Sequence, residues 1–342
     1  MKKINSPTVL DNAMWDMWMS TYHLPVMCVA HDLEIFSCIN THNSCTVEQL
    51  SKLLNIRKRS VEILVGPLSA LGFLTNKKHV FYLSEKAKTY LLRDSQFYWG
   101  PILEGSRNHS EYKKILEAVK IGSNQLLYGD KTYTDMWKEG SITPDAALYF
   151  TRKMHATIFA PAVAAIETGL FQDTKMLLDV GGGSGCFSIA YANKYPECIA
   201  TVFELPVVCD VAKQYIHEYD LVNRVLMHPG DFFNKHSWPC SHDGVLLSQI
   251  MHDWPEEQCK IILENAYDIL PPKGKIYIHE MLLNNTKTSP LTTSCFDLLM
   301  CINHQSQQFT KNKLCELLGS VGFKHPKMRK TFGYYSLIIA TK

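Results

Sequence analysis

The chain has 342 residues, 46% hydrophobic and 20% charged, with a formal net charge of +2. That length suits two domains of ordinary globular composition, and the near-neutral charge gives no electrostatic drive toward nucleic acid or an anionic membrane. No apolar run is long enough to span a bilayer and no basic-then-apolar leader follows Met1-Lys2-Lys3, so a cytoplasmic protein is expected.

In chain order, residues 11–38 read as helical and apolar around most of their girth, with Met14, Trp15, Met17, Trp18, Tyr22, Val26 and Met27 close together. Such a helix needs burial on several sides, within its own chain or against a partner subunit. Residues 46–92 carry a winged-helix pattern. Thr46-Val47-Glu48-Gln49 has capping-box spacing, helices follow over 47–54 and 60–71, and Gly72 closes the second as a C-cap. Phe73-Leu74 and Val80-Phe81-Tyr82-Leu83 then flank a small hairpin. Arg57, Lys58 and Arg59 stand near the start of the second helix, but beyond them it is mostly apolar, which leaves few side chains to read base edges. The pattern therefore points to a structural or dimerisation module rather than to DNA binding.

Residues 96–165 read as helices broken at Gly100-Pro101, Gly122, Gly129 and Gly140. Their aromatics and methionines, among them Tyr128, Tyr133, Trp137, Phe150, Met154 and Phe159, suit a core or the wall of a pocket for a flat aromatic. From Thr174 onward strands alternate with helices. Strands are expected at 176–180, 199–204, 224–228, 244–249 and 275–280, helices at 186–194, 206–219, 255–270, 291–303 and 311–321, and a last strand pair within 328–340. That alternation predicts an α/β fold, a mostly parallel, doubly wound sheet with helices on both faces.

The chemistry sits at the strand ends, because ligands of open α/β sheets bind beyond the carboxyl ends of the strands. Met176 to Gly185, MLLDVGGGSG, is a strand, a glycine turn and a helix start. The dinucleotide fingerprint G-x-G-x-x-G does not fit cleanly; Asp179-x-Gly181-x-Gly183-x-Gly185 has the spacing of S-adenosylmethionine (SAM) sites. Glu204 ends the next strand about twenty residues on, where an acid can accept bonds from ribose hydroxyls of NAD or SAM alike. Gly230-Asp231-Phe232-Phe233 supplies an acid and aromatics suited to an adenine, a turn role after Gly230 being the lesser alternative for Asp231. Ser248 ends the strand that leads into Met251-His252-Asp253-Trp254-Pro255-Glu256. Asp253 and Glu256 have capping-box spacing there, and His252, which helix-start grammar does not require, is a candidate base.

With these residues in place the chain resembles the SAM-dependent small-molecule O-methyltransferases of plant phenolic, bacterial polyketide and acetylserotonin metabolism. The resemblance rests on LLDVGGGSG at 177–185, FELP at 203–206, GDFF at 230–233, MHDW at 251–254 and GKIYIHE at 274–280, in the family's order and spacing. It implies a Rossmann-like methyltransferase domain at 166–342, a winged-helix dimerisation domain at 1–95 and a helical connector at 96–165 that contributes to the substrate pocket. It implies a homodimer acting on a small aromatic phenol or hydroxyindole, with no nucleic acid, membrane or metal involved. Gly181 and Gly183 would hold the methionine part of SAM, Glu204 and Leu205 the ribose, and Asp231 and Phe232 the adenine, with Asp179 and Ser248 completing the cofactor site. His252 would be the general base and Glu280 its orienting acid. Phe150, Met154, His155, Met300 and Asn303 would line the substrate, with His304 a further polar contact.

One stretch departs from the family. Its G-G-x-E-R-T carries a second acid, whereas here the run is Gln305-Ser306-Gln307-Gln308-Phe309-Thr310, with Gln308 in the acid's place and Phe309 in the arginine's. An amide can orient an imidazole but adds no charge. Other readings of the same residues are an N-methyltransferase, a non-methylating member of the fold, and a SAM-binding winged-helix regulator. The eleven cysteines form no C-x-x-C pair, so neither a zinc site nor a disulfide framework is expected; most should be small buried hydrophobes.

Overall fold

A computed structural model describes residues 4–121, 133–304 and 306–342. Gly122, Tyr128, Gly129 and Gln305 lie outside the described residues, as do the side chains of Tyr133 and His304. In chain order the elements are α1 (Asn12–Met19), α2 (His23–Asp32), α3 (Ile35–Thr41), β1 (Cys45–Thr46), α4 (Val47–Leu54), α5 (Lys58–Ala70), β2 (Leu74–Lys77), β3 (Val80–Leu83), α6 (Glu85–Leu91), α7 (Gly100–Gly105), α8 (Ser110–Ile121) and α9 (Tyr133–Lys138). They continue with α10 (Pro144–Glu167), β4 (Met176–Val180), α11 (Cys186–Lys194), β5 (Ile199–Glu204), α12 (Pro206–Glu218), β6 (Val225–Pro229), β7 (Gly244–Ser248), α13 (Glu256–Ile269), β8 (Lys275–Met281), α14 (Leu291–His304), α15 (Lys311–Val321), β9 (Lys324–Lys330) and β10 (Tyr335–Thr341).

The chain divides into two compact units. One holds residues 12–135 and 282–310, the other the first eleven residues with 136–281 and 311–342. In the first, the expected helix over 11–38 is three helices: a 3₁₀ turn at Ser20–Tyr22 separates α1 from α2, and Glu34, with a left-handed φ of 56°, turns the chain between α2 and α3. The Thr46 box is formed as read: Gln49 N–H donates to Thr46 Oγ1 at 3.2 Å and Thr46 N–H to Gln49 Oε1 at 2.8 Å. β1, β3 and β2 make a three-stranded antiparallel wing. Gly100-Pro101 starts a helix rather than breaking one, since proline is tolerated in a first turn. α14 packs on α5, and the two are joined by Arg59, whose Nη1 and Nη2 donate to the two oxygens of Asp297 at 2.8 and 2.7 Å.

The second unit is built on a seven-stranded sheet of order β6-β5-β4-β7-β8-β10-β9. β6, β5, β4, β7 and β8 pair in parallel, and β10 runs antiparallel between β8 and β9. The apolar strands are covered on both sides. Consecutive residues, Leu177 and Leu178 of β4 and Leu246 and Leu247 of β7, are equally buried, so both faces are packed. On the face that α11 covers, Phe171, Phe187, Tyr191 and Tyr277 belong to one buried cluster and Ile189, Val202, Ala212 and Ile216 to a second beside it. After β4 the chain adds strands on one side, then returns to add β7 and β8 on the other. The order therefore reverses between β4 and β7, and the crevice of such a sheet opens there.

Candidate active site

Two loops leave the sheet at that reversal. The first follows β4. Gly181, Gly183 and Gly185 all take left-handed φ values, 63°, 56° and 77°. At Gly181 the left-handed φ already disfavours a side chain, and a Cβ would come within 2.4 Å of Ile250 Cδ1 and have to displace it. At Gly183 a Cβ would meet nothing within 4 Å, so the same backbone borders open space. Asp179 is buried, and its Oδ2 accepts from Ser188 Oγ at 2.8 Å and Ser188 N–H at 3.3 Å, which ties the loop to α11; burial pushes its carboxyl up to about 6.

Glu204 ends β5 beside this loop. Its Oε1 accepts the Leu205 N–H at 2.7 Å and its Oε2 the Gly183 N–H at 3.2 Å. Burial pushes its carboxyl up to about 7, against the pull of those two donors. Leu205 is the N-cap residue of α12. Asp231 closes a turn by accepting the Phe233 N–H at 2.8 Å, and the Phe232 carbonyl is held by Trp238 Nε1 at 2.9 Å and Asn265 Nδ2 at 3.1 Å.

The second loop follows β7. Ser248 Oγ lies 3.2 Å from Nδ1 of His279, a wholly buried histidine that burial drives down to about 3 and so keeps neutral. Gln249 is left-handed (φ 55°), and Met251–Asp253 form a single 3₁₀ turn. Glu280, on neighbouring β8, is 1% exposed and binds this turn from below: Oε1 accepts the Met251 N–H at 3.0 Å and the His252 N–H at 3.4 Å, and Oε2 accepts from Gln249 Nε2 at 2.9 Å. His252 is 5% exposed, with Nδ1 3.5 Å from Glu280 Oε2 and Nε2 3.4 Å from Asp253 Oδ1. Burial raises the Asp253 carboxyl to about 8 and, helped by the charge of Asp253, puts that of Glu280 well above the carboxylate range.

The helix-cap reading of Asp253 does not hold. α13 begins at Glu256 with Pro255 at its cap, and no side chain caps it. Asp-x-x-Glu imitates a capping box, but the 3₁₀ turn points the carboxylate at His252 instead. Sequence reasoning missed Asp253 and Gln249 as neighbours of the base; only an unusual φ at Gln249 marks the site, and sequence does not display that.

Phe150, Met154 and His155 lie on α10 in the same unit, Phe150 against Trp137 at 5.1 Å between ring centres. His155 is turned to the glycine loop: Nδ1 is 2.9 Å from Ser184 Oγ, and its ring stacks between Tyr215 at 4.1 Å and Phe159 at 5.0 Å. Met300, Asn303 and Gln308 belong to the other unit. There Met300 is buried, and Asp297, paired with Arg59, accepts the Gln308 N–H at 2.6 Å. Arg59 also donates to the Ser306 carbonyl at 3.0 Å.

Residues 112–324 match the family model described as an O-methyltransferase domain, well over half the chain. The chain belongs to the O-methyltransferase family. It is thereby a SAM-dependent O-methyltransferase. Bovine acetylserotonin O-methyltransferase is 29% identical over 304 residues, 86% of each chain. The 3-hydroxy-5-methyl-1-naphthoate 3-O-methyltransferase of Streptomyces sahachiroi is 27% identical over 320 residues, 92% of this chain and 89% of the relative. Among solved structures, an O-methyltransferase family 2 protein from Planctomyces limnophilus in complex with apigenin shares the fold with a TM-score of 0.85 at 22% identity, covering 99% of this chain and 98% of that one. The MHDW and glycine-loop motifs of the O-methyltransferase thus stand at the two loops of the sheet reversal. Among the described residues no helix is long and apolar enough to cross a membrane.

Proposed function

We propose that this O-methyltransferase methylates the hydroxyl of a small planar aromatic, a phenol or hydroxyindole, with His252 as general base. The observation that carries this reading is a buried histidine set between two carboxyl groups at the strand end adjoining the glycine loop. The relatives' acceptors point the same way, since acetylserotonin and a hydroxynaphthoate are both hydroxylated aromatics.

The residues present fit SAM. Three left-handed glycines leave open space at Gly183, and an acid with two backbone donors stands beside them. Bound SAM supplies a methyl on a positively charged sulfur, already activated for displacement. The backbone of Gly181 and Gly183 would hold its methionine part, Glu204 and Leu205 the ribose, Asp231 and Phe232 the adenine, and Ser248 the rim. Asp179 secures the loop through Ser188. The reading assigns no metal to this site.

His252 receives the hydroxyl proton. A phenol has a pKa of about 10 and a histidine about 6.5, so complete transfer is uphill by about 3.5 units, near 5 kcal/mol. Glu280 and Asp253 stabilise the ring once it carries the proton, because each buried carboxyl group lacks a counter-charge until then. Glu280 also fixes the ring's place by binding the backbone of its turn. Orientation of the hydroxyl in a dry site supplies much of the remainder. Phe150, Met154 and His155, and in the other unit Met300 and Asn303, are assigned to the acceptor, and Gln308 stands in the place of the family's second orienting acid. The resemblance assigns 1–95 to homodimerisation, 96–165 to the connector and 166–342 to methyl transfer; exposed Met14 and Met17 on α1 favour the dimer.

Turnover with SAM on matched phenols, hydroxyindoles and their amine isosteres tests the reading. Methyl transfer to oxygen with little to nitrogen is expected. Transfer to amines alone, or binding of SAM with no transfer to any aromatic hydroxyl, overturns it.

A further inference from the structure

Three soft ligand atoms converge far along the chain from the methyl-transfer residues. The sulfurs of Cys38 and Cys45 and a ring nitrogen of His42 all lie within 4.8 Å of one another. Local structure brings them together. Cys38 and His42 are four residues apart at the end of α3, on one helical face. Asn43, left-handed at φ 60°, turns the chain back, and Cys45 opens β1, paired with Phe81 of β3. Cys45 is 1% exposed, Cys38 half-buried and His42 exposed.

We propose that Cys38, His42 and Cys45 form a binding site for a thiophilic divalent ion of the zinc class, with water as fourth ligand. A d¹⁰ ion of this kind takes cysteine and histidine in tetrahedral sites, and three protein ligands leave one position to solvent. An ion centred among ligand atoms 4.8 Å apart lies at most about 2.8 Å from each, against about 2.3 Å for Zn–S and about 2.1 Å for Zn–N, so side-chain adjustments of roughly half an ångström close the site. His42 Nδ1 lies 2.9 Å from the Cys38 carbonyl oxygen, and donation there leaves the lone pair on Nε2, an arrangement that orients metal-binding imidazoles elsewhere. Two metal–sulfur bonds form as each thiol gives its proton to solvent, and one metal–nitrogen bond forms to the neutral ring. The ion would staple α3 to the wing. The spacing C-x₃-H-x₂-C lacks the C-x-x-C pair that marks zinc sites in sequence, so composition alone argued against it.

The test is titration of the full-length reduced chain with Co²⁺, read by the sulfur-to-cobalt charge-transfer band, then displacement by Zn²⁺. One equivalent is expected to bind. The band should vanish in Cys38→Ser and Cys45→Ser. In His42→Ala, whose exposed side chain is not needed for folding, affinity should fall by at least the roughly 10–100-fold that loss of even an outer partner costs. Zn²⁺ should raise the thermal midpoint of the wild type and of none of the variants. Absence of the band in the wild type, its persistence in the Cys38→Ser/Cys45→Ser chain, or unchanged affinity in His42→Ala overturns the proposal. So does finding the two thiols joined as a disulfide that Co²⁺ cannot open.

Discussion

Glu204 and Glu280 are the same device put to two uses. Each is a buried carboxyl group at or beside a strand end, and each accepts backbone N–H groups from the loop it faces. Glu204 stands beside a glycine loop with open space at Gly183, and two donors hold its carboxyl to about 7. Glu280 is sealed at 1% exposure, with its acceptors spent on Met251, His252 and Gln249 and a second acid nearby, and its carboxyl lies far above the ordinary range. A carboxylate with capacity left over can receive a ligand's hydroxyls, whereas one fully engaged by its own loop can only position its neighbours. The first belongs to recognition and the second to the placement of the base.

The largest break in that comparison is at the base itself. His252→Ala should lower kcat on an ordinary phenol by about 10²–10⁴-fold, the range for a positioned general base, while SAM affinity measured by calorimetry stays put. Glu280→Gln should cost kcat roughly 10–100-fold, as loss of an orienting partner does, again without weakening SAM. Glu280→Ala should in addition lower thermal stability, because the buried Met251 and His252 N–H groups lose their acceptor, at about 1–3 kcal/mol for each unsatisfied group.

Glu204→Gln should do the reverse of the His252 and Glu280 changes, weakening SAM or S-adenosylhomocysteine while kcat at saturation is nearly kept. The pH dependence sharpens this. A ligand whose hydroxyls donate to Glu204 binds the charged form better, so affinity should fall as pH drops through about 7. Between pH 8 and 6 the loss should be about tenfold, a unit of pKa being a factor of ten. In Glu204→Gln that slope should be flat. The smallest effect is expected at Gln308→Glu, a few-fold change in kcat, since Glu280 and Asp253 already flank both ring nitrogens of His252.

Much of the methyltransferase half is written locally. Strand β4, helix α11 and strand β5 fall where apolar runs and the glycine turn place them, because each boundary is set by residues within one turn of it. Eight of the eleven cysteines are buried, as their number without pairing implied. What stayed hidden depends on distant partners. Glu280 was recognisable by motif, but its grip on the turn at 251–252 needs β7 and β8 side by side. Asp253 misled because a local cap and a partner for His252 call for the same residue type. The packing of 282–310 with the amino-terminal helices rests on Arg59 and Asp297, 238 residues apart, which no window of periodicity spans.

The most direct test of the central claim compares His252→Ala with wild type on two acceptors of similar shape, an ordinary phenol and an acidic phenol already ionised at the assay pH. If His252 takes the proton, the variant should lose about 10²–10⁴-fold on the ordinary phenol and nearly nothing on the ionised one. An equal loss on both would mean that His252 shapes the site rather than accepting the proton, and would contradict its role as general base.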